Sequence, residues 1–298
     1  MERILRYEIC NQNTVYIGKP IDFFLKSMGF SSRNLIALKK IPEGICVNDV
    51  WVHVNYKLQA GDRLSIHLIE TESSAKIEPV PLPFPIVYED EDLLVLNKPA
   101  DMPIHPSLHN YTNSLANAAA YYFQEQHIPY VFRCVNRLDR DTTGLTILAR
   151  HQISSGILST QVANREIHRE YLAIVSGIIT SPSGTVDAPI GRVPGSTIER
   201  TIDYDHGERA VTHYTLVRTC PEKNLSLLSL SLETGRTHQI RVHMKSLGHP
   251  LIGDYIYNPD YRYIKRQALH SFRLSFRHPI SGVPLSFTAP LPDDMMLF

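Results

Sequence analysis

An α+β fold in two unequal parts is what this sequence predicts, and three observations carry the prediction. Strand-like and helix-like runs follow one another in irregular order, without the regular strand–helix alternation of a parallel sheet. Closely spaced prolines, Pro79, Pro81, Pro83 and Pro85, favour an extended spacer, because proline lacks the N–H a helix needs. The 298 residues exceed the usual size of one domain.

The elements can be justified in chain order. Asp22-Phe23-Phe24-Leu25-Lys26 reads as a helix ending near Gly29. Ser31-Ser32 then offers an N-cap for a second helix, Arg33 to Lys40, which Gly44 stops. Ile45 to Asn48 and Val50 to Val54 read as β segments, and Gly61-Asp62 turns the chain into Arg63 to Leu68, which alternates like a strand. Thr71 to Pro85 is polar and then proline-rich. This places a small module at 1–72, a linker at 73–86 and a larger domain at 87–298. In that domain Ile86 to Tyr88 and Leu93 to Leu96 flank an acidic turn, a hairpin signal. Ser114 can cap a helix through Tyr121, and a further helix is expected at 154–164. Arg169, Tyr171, Ala173 and Val175 share one parity of a strand, and Leu228, Leu230 and Leu232 alternate with serines. Residues 188–208 read as a long surface loop with a short hairpin. Thr237 can cap a last helix carrying Ile240, Met244 and Leu247, stopped by Gly248.

Composition narrows the class. Hydrophobic residues make up 43% and charged residues 20%, ordinary for a soluble globular chain. No apolar run approaches a membrane span, and the N-terminus lacks the pattern of a signal peptide, so a cytoplasmic location is expected. Cys10, Cys46, Cys134 and Cys220 form no Cys-x-x-Cys pair, so neither a zinc site nor a redox motif is indicated. Net charge is zero, yet residues 236–277 hold eight Lys or Arg against Asp254 and Asp260, and 70–92 is acidic. A basic face and an acidic edge are the expectation. Glycine-rich nucleotide loops, the nucleophile elbow and the His-Glu-x-x-His motif are all missing.

The chemistry centres on Asn136-Arg137-Leu138-Asp139-Arg140-Asp141-Thr142-Thr143-Gly144. A carboxylate precedes a tight turn that leads into an apolar β run, which places a reactive group on a rigid frame. Further stretches follow in order: Leu96-Asn97-Lys98-Pro99 with His105-Pro106, Arg169-Glu170-Tyr171-Leu172, Thr234-Gly235-Arg236-Thr237-His238-Gln239-Ile240-Arg241, Gly253-Asp254, and Leu269-His270 with His278-Pro279. Each is weak alone. Their ordered co-occurrence across 87–298 resembles the RluA-type pseudouridine synthases, which isomerise uridine in RNA to its C-glycoside.

The resemblance implies a mixed, largely antiparallel sheet flanked by helices, and a redox-neutral reaction needing neither metal nor cofactor. It implies Asp139 as nucleophile or base, Arg241 as its partner with Arg236 as runner-up, and Tyr171 stacking on the target base and helping to remove the C5 proton. It also implies that Arg137 displaces the target nucleotide, and that Lys98, His105 and Arg236 line the substrate entrance. The first module resembles, more loosely, the S4 RNA-binding fold, with Arg33, Lys39 and Lys40 facing phosphates. A monomer acting on ribosomal or transfer RNA, with no membrane partner, is expected. The chain departs from the family pattern at Asn136, where many members have His, at Thr143, where many have Ser, and at Arg169, where Lys is frequent. Three rival readings stand beside it: a glycosidase or nucleosidase using Asp139 and Asp141 as a carboxylate pair, a non-catalytic RNA-binding protein, and a zinc hydrolase using His238 and His243, whose i, i+5 spacing suits one helical face poorly.

Overall fold

The computed structural model describes residues 1–298, apart from the side chains of 11–13. The N-terminal part contains β1 (Glu2–Glu8), α1 (Ile21–Ser27), α2 (Ser32–Leu38), β2 (Ile45–Val47), β3 (Val50–Trp51) and β4 (Arg63–Ile69). Its antiparallel sheet has the order β1-β4-β2-β3. Ser31 caps α2 in a capping box with Asn34, and Leu35 and Leu38 turn inward onto Phe24, Leu25, Leu64 and Ile66. β3 is shorter than the valine run suggests. Asn48 and Asp49 both adopt positive φ, which makes the tight hairpin turn between β2 and β3. β1 was not legible in advance: it pairs along β4 from end to end, yet its sequence is mostly charged and only Leu5 is buried within it.

Residues 71–85 carry no regular element, as the prolines dictate, but they are not a free tether. The Ser73 and Ser74 hydroxyls accept the amides of Tyr130 and Phe132, and Asn117 donates to the Glu78 carbonyl. Ile77, Leu82 and Phe84 pack against the cluster built on Leu115, Ala119 and Phe123.

The larger part runs β5 (Ile86–Glu89), β6 (Leu93–Lys98), α3 (Leu115–Glu125), β7 (Thr143–Ala149), α4 (Gln152–Ala163), β8 (His168–Ser176), β9 (Ser183–Asp187), β10 (Ile190–Arg192), β11 (Arg200–Ile202), β12 (Val211–Cys220), β13 (Leu225–Leu232), α5 (Gln239–Ser246), β14 (Leu269–Arg277) and β15 (Pro284–Thr288). Its main sheet is ordered β5-β6-β7-β14-β8-β13-β12-β9, with β15 also on β14. Only the β7–β14 pairing is parallel, so the sheet is mixed and largely antiparallel. Ser114 caps α3, as its sequence predicts, and β10 and β11 form the hairpin within the 188–208 loop. Thr237 does not cap α5. The cap is His238, held at φ 59, and the Gln239 side chain closes the turn by accepting the Arg236 amide and the Thr234 hydroxyl.

The two parts share a core. Ile153 and Ile157 of α4 belong to the same apolar cluster as Leu5, Leu35 and Leu38. Arg3 of β1 makes two hydrogen bonds to Asp92, and Glu70 pairs with Arg133 and accepts the Gln152 amide. The expected segregation of charge is largely cancelled. Arg3, Arg150 and His278 sit on the acidic run at Asp92, Glu89 and Asp90. In the basic stretch, Arg241, Arg262, Arg266 and Arg273 pair with Asp254, Asp260, Asp294 and Glu170.

Candidate active site

A cavity of about 810 Å³ opens where the loop before β7, the start of β8, the end of β13 and the N-terminus of α5 converge. The β7 loop is pinned from three sides. Asn136 donates to the Leu145 carbonyl and accepts the Ile147 amide, and its own carbonyl accepts the Thr146 hydroxyl. Thr143 is hydrogen-bonded to buried His270, which burial drives down to about 4 and so holds neutral. Gly144 has φ 106, and a Cβ there would collide with the Ser271 backbone of β14.

Lys98 supplies the third hold. Its ammonium donates to the carbonyls of Pro99, Met102 and Arg140 at 2.7–2.8 Å. The sequence expectation put Lys98 at the substrate entrance. The structure corrects this: the side chain is about 1% exposed, lies beneath the loop before β7 and is absent from the cavity wall. Burial lowers its pKa to about 7.

Asp139 faces the cavity with 26% of its side chain exposed, and its Oδ2 accepts Nη1 of Arg241 at 3.0 Å. Arg241 projects from the first turn of α5 and is 1% exposed. Its Nε and Nη2 donate to both oxygens of Asp254 at 2.7 and 2.8 Å, and Asp254 also accepts the amides of Ile256 and Tyr257. The Tyr257 and Tyr255 rings flank the guanidinium at 5.1 and 5.5 Å. Burial disfavours the Arg241 charge, but the Asp254 hydrogen bond and the Asp139 charge outweigh it and raise its pKa above the ordinary guanidinium value. A line of alternating charge, Asp254–Arg241–Asp139, therefore runs from the core to the cavity.

Tyr171 lies on the β8 face that looks into the cavity, buried except toward that space. Its phenol is raised by burial, with Arg169 opposing and Asp139 adding to the shift. Arg137 and His105 stand exposed at the rim, the His105 ring edge-on to Phe132. Arg236 borders the same rim but is engaged outward, by Glu208 and the Arg209 carbonyl, and Arg241 takes the place beside Asp139. Arg33, Lys39 and Lys40 are exposed on α2 and the turn after it, away from the cavity wall.

The rivals fit poorly. Asp141 is held by Arg140 and the Asp101 amide and does not line the cavity, so it offers Asp139 no second carboxylate. His243 is buried between Thr212 and the Ala188 carbonyl and does not join His238 in a ligand set.

Sequence reasoning gave no role to Asp254, and considered His238 only as a ligand in the rival zinc reading. Asp254 carried a signal, since Gly253-Asp254 is one of the ordered motifs. His238 lies 4.0 Å from Asp139 and is hydrogen-bonded to the Tyr257 hydroxyl, and burial lowers its pKa.

Comparisons with known proteins converge on one family. A sequence model described as RNA pseudouridylate synthase matches residues 92–246. The uncharacterized RNA pseudouridine synthase YjbO of Bacillus subtilis (strain 168) is 43% identical over 90% of this chain and 94% of its own length. Ribosomal large subunit pseudouridine synthase D of Zymomonas mobilis is 42% identical over 81% of this chain and 80% of its own. Among solved structures, human RNA pseudouridylate synthase domain containing 1 superposes with a TM-score of 0.58 at 27% identity, covering 70% of this chain and 83% of that one.

Proposed function

This chain belongs to the RNA pseudouridylate synthase family, isomerases that act on RNA, and on that premise we propose that Asp139 carries its reaction. The observation behind this assignment is the Asp254–Arg241–Asp139 line, which delivers one carboxylate, paired with a permanent cation, to the open cavity. Attack of that carboxylate on C1′ of uridine, or its removal of the C2′ proton to give a glycal, breaks the N1–C1′ bond. The freed base turns, and C5 joins C1′ as the carboxylate–C1′ bond breaks or, on the glycal route, as C2′ takes back its proton. The C5 proton then leaves to solvent and N1 gains one, so the net change is isomerisation.

Tyr171, held protonated by burial, gives the base a stacking face, and its phenol oxygen steers the C5 proton. Arg137 at the rim displaces the target nucleotide, a flip costing a few kcal/mol that stacking and ion pairing offset. His105 and Arg236 border the entering strand.

Ribosomal RNA is the favoured substrate over transfer RNA, because several relatives bear the large-subunit name. We assign residues 1–72 as an S4-like RNA-binding module using Arg33, Lys39 and Lys40, 73–86 as the linker and 87–298 as the catalytic domain. No described helix is long and apolar enough to cross a membrane, and the four cysteines are free, as suits a reducing compartment. A cytoplasmic location and a monomeric state belong to the same proposal. Mapping pseudouridines in ribosomal and transfer RNA from cells with and without the gene tests the assignment. Loss of defined pseudouridines is expected, and an unchanged map would overturn it.

A further inference from the structure

Among the described residues, two arginines of the cavity wall, Arg137 and Arg169, have side chains without an acidic partner. The others are paired: Arg165 with Glu233, Arg236 with Glu208, and Arg241 with Asp139 and Asp254. Arg137 is exposed at the rim and already has a role in displacing the nucleotide. Arg169 has none. It is half-buried at the start of β8, and its Nε is enclosed without a hydrogen-bond partner. Its Nη1 presses against Gly235, where a Cβ would come within 3.0 Å. Packing rather than an anion therefore holds this guanidinium. An enclosed, unpartnered N–H on a cation is costly unless an anion completes the guanidinium.

Its position says which anion. Arg169 and Tyr171 both line the cavity, two residues apart on one strand, about 6.7 Å along β8. A nucleotide whose base lies on Tyr171 brings its backbone within reach of the Arg169 guanidinium. A second groove, of about 510 Å³, begins where the cavity ends, and the two share Arg165, Arg169, Leu232 and Glu233. It continues over the other face of the sheet, past Ser229 and Ser231, toward His168, the His213–Glu233 pair and the Arg273–Glu170 pair, which leaves Arg169, among the described residues, the unpaired cation at the junction.

We propose that Arg169 receives a backbone phosphate of the RNA strand adjoining the nucleotide held on Tyr171, at the point where that strand passes from the cavity into the second groove. Arginine suits the task better than the lysine frequent at this position, because its planar fork gives two parallel N–H bonds to phosphate oxygens.

This inference rests on the RNA-isomerising reading of the same cavity, but its test reads binding. Affinity for a dye-labelled, uridine-containing RNA hairpin is measured across a salt series for the full chain. Arg169→Gln should bind about tenfold more weakly. Its slope of log K against log salt should shrink by about 0.7–0.9, one phosphate contact. Tritium release at saturating RNA should stay within about threefold of wild type, and Arg169→Lys should keep the wild-type slope. An unchanged slope in Arg169→Gln overturns the proposal, and so does a collapse of turnover at intact affinity, which would assign Arg169 to the chemistry. If Arg169→Gln fails to fold by thermal melting, Arg169→Met, which keeps an unbranched stem against Gly235 without the charge, decides, and an unchanged slope there refutes the phosphate contact. A wild-type protein that releases no tritium, while Arg169→Gln still loses slope, would sink the isomerase reading and leave the phosphate contact standing.

Discussion

Replacing Asp254 by alanine removes a residue that lines no part of the cavity, yet it should disable the site. Asp254 is fully buried and accepts both Nε and Nη2 of Arg241 at 2.7 and 2.8 Å. Without it, a guanidinium that is 1% exposed keeps only the Nη1 bond to Asp139. Breaking one side of a buried pair costs about 3–5 kcal/mol, because the remaining charge is uncompensated. The amides of Ile256 and Tyr257 lose their acceptor as well, so the loss should fall at the upper end. The chemistry should suffer separately. Arg241 would swing off its axis, and a misplacement of about 1 Å in such a group costs on the order of 100-fold in rate. Asp254→Asn retains an acceptor for one N–H and should fall between wild type and Asp254→Ala in both respects. Urea unfolding gives the stability, and single-turnover tritium release from RNA labelled at uridine C5 gives the rate. If Asp254→Ala lost under about 1 kcal/mol and kept its rate within about threefold, the charged line would not be what holds Asp139.

Two further predictions concern the supports around the site. Lys98 titrates near 10.5 when unfolded and near 7 when folded. Between those values the unfolded chain binds the extra proton, so raising the pH favours the folded state. Lys98→Met should lack this gain, and its deficit in urea midpoint should widen by the equivalent of a few kcal/mol between about pH 7 and 10. A constant deficit would show that Lys98 is not neutralised on folding. Deleting residues 1–70 should also destabilise what remains. It uncovers Ile153 and Ile157, each worth about 1.5–3 kcal/mol buried, and strips Arg3 from Asp92 and Glu70 from Arg133. Scanning calorimetry should show a lower melting temperature for the truncated chain, and an unchanged one would mean the shared core contributes nothing.

Much of this architecture was legible because the deciding signals are local. Ser31 and Ser114 announce their helices by chemistry confined to three residues, and the Leu-Ser alternation of β13 needs only a pleat. Asp139, Tyr171 and Arg241 were legible as motif members, and the fold brings them to one cavity. What stayed hidden depends on distant partners. β1 is a strand because β4 supplies its edge, not because its own charged sequence insists. Lys98 looks identical in sequence whether it faces substrate or three carbonyls, and only the fold decides. Asp254 became meaningful when α5 aimed Arg241 at it. The zero net charge hid the most: the acidic 70–92 run and the basic 236–277 run are mostly ion-paired, so no charged face follows from their composition.

The central claim is that the Asp139 carboxylate breaks the N1–C1′ bond, with Arg241 and Asp254 holding it in place. Asp139→Asn keeps the size of the side chain and removes its charge. The direct measurement is tritium release from large-subunit ribosomal RNA carrying uridine labelled at C5, run beside RNA affinity and thermal melting for the same protein. Release should vanish while affinity and melting temperature stay close to wild type. Release within about tenfold of wild type would contradict the account and move the chemistry to another residue.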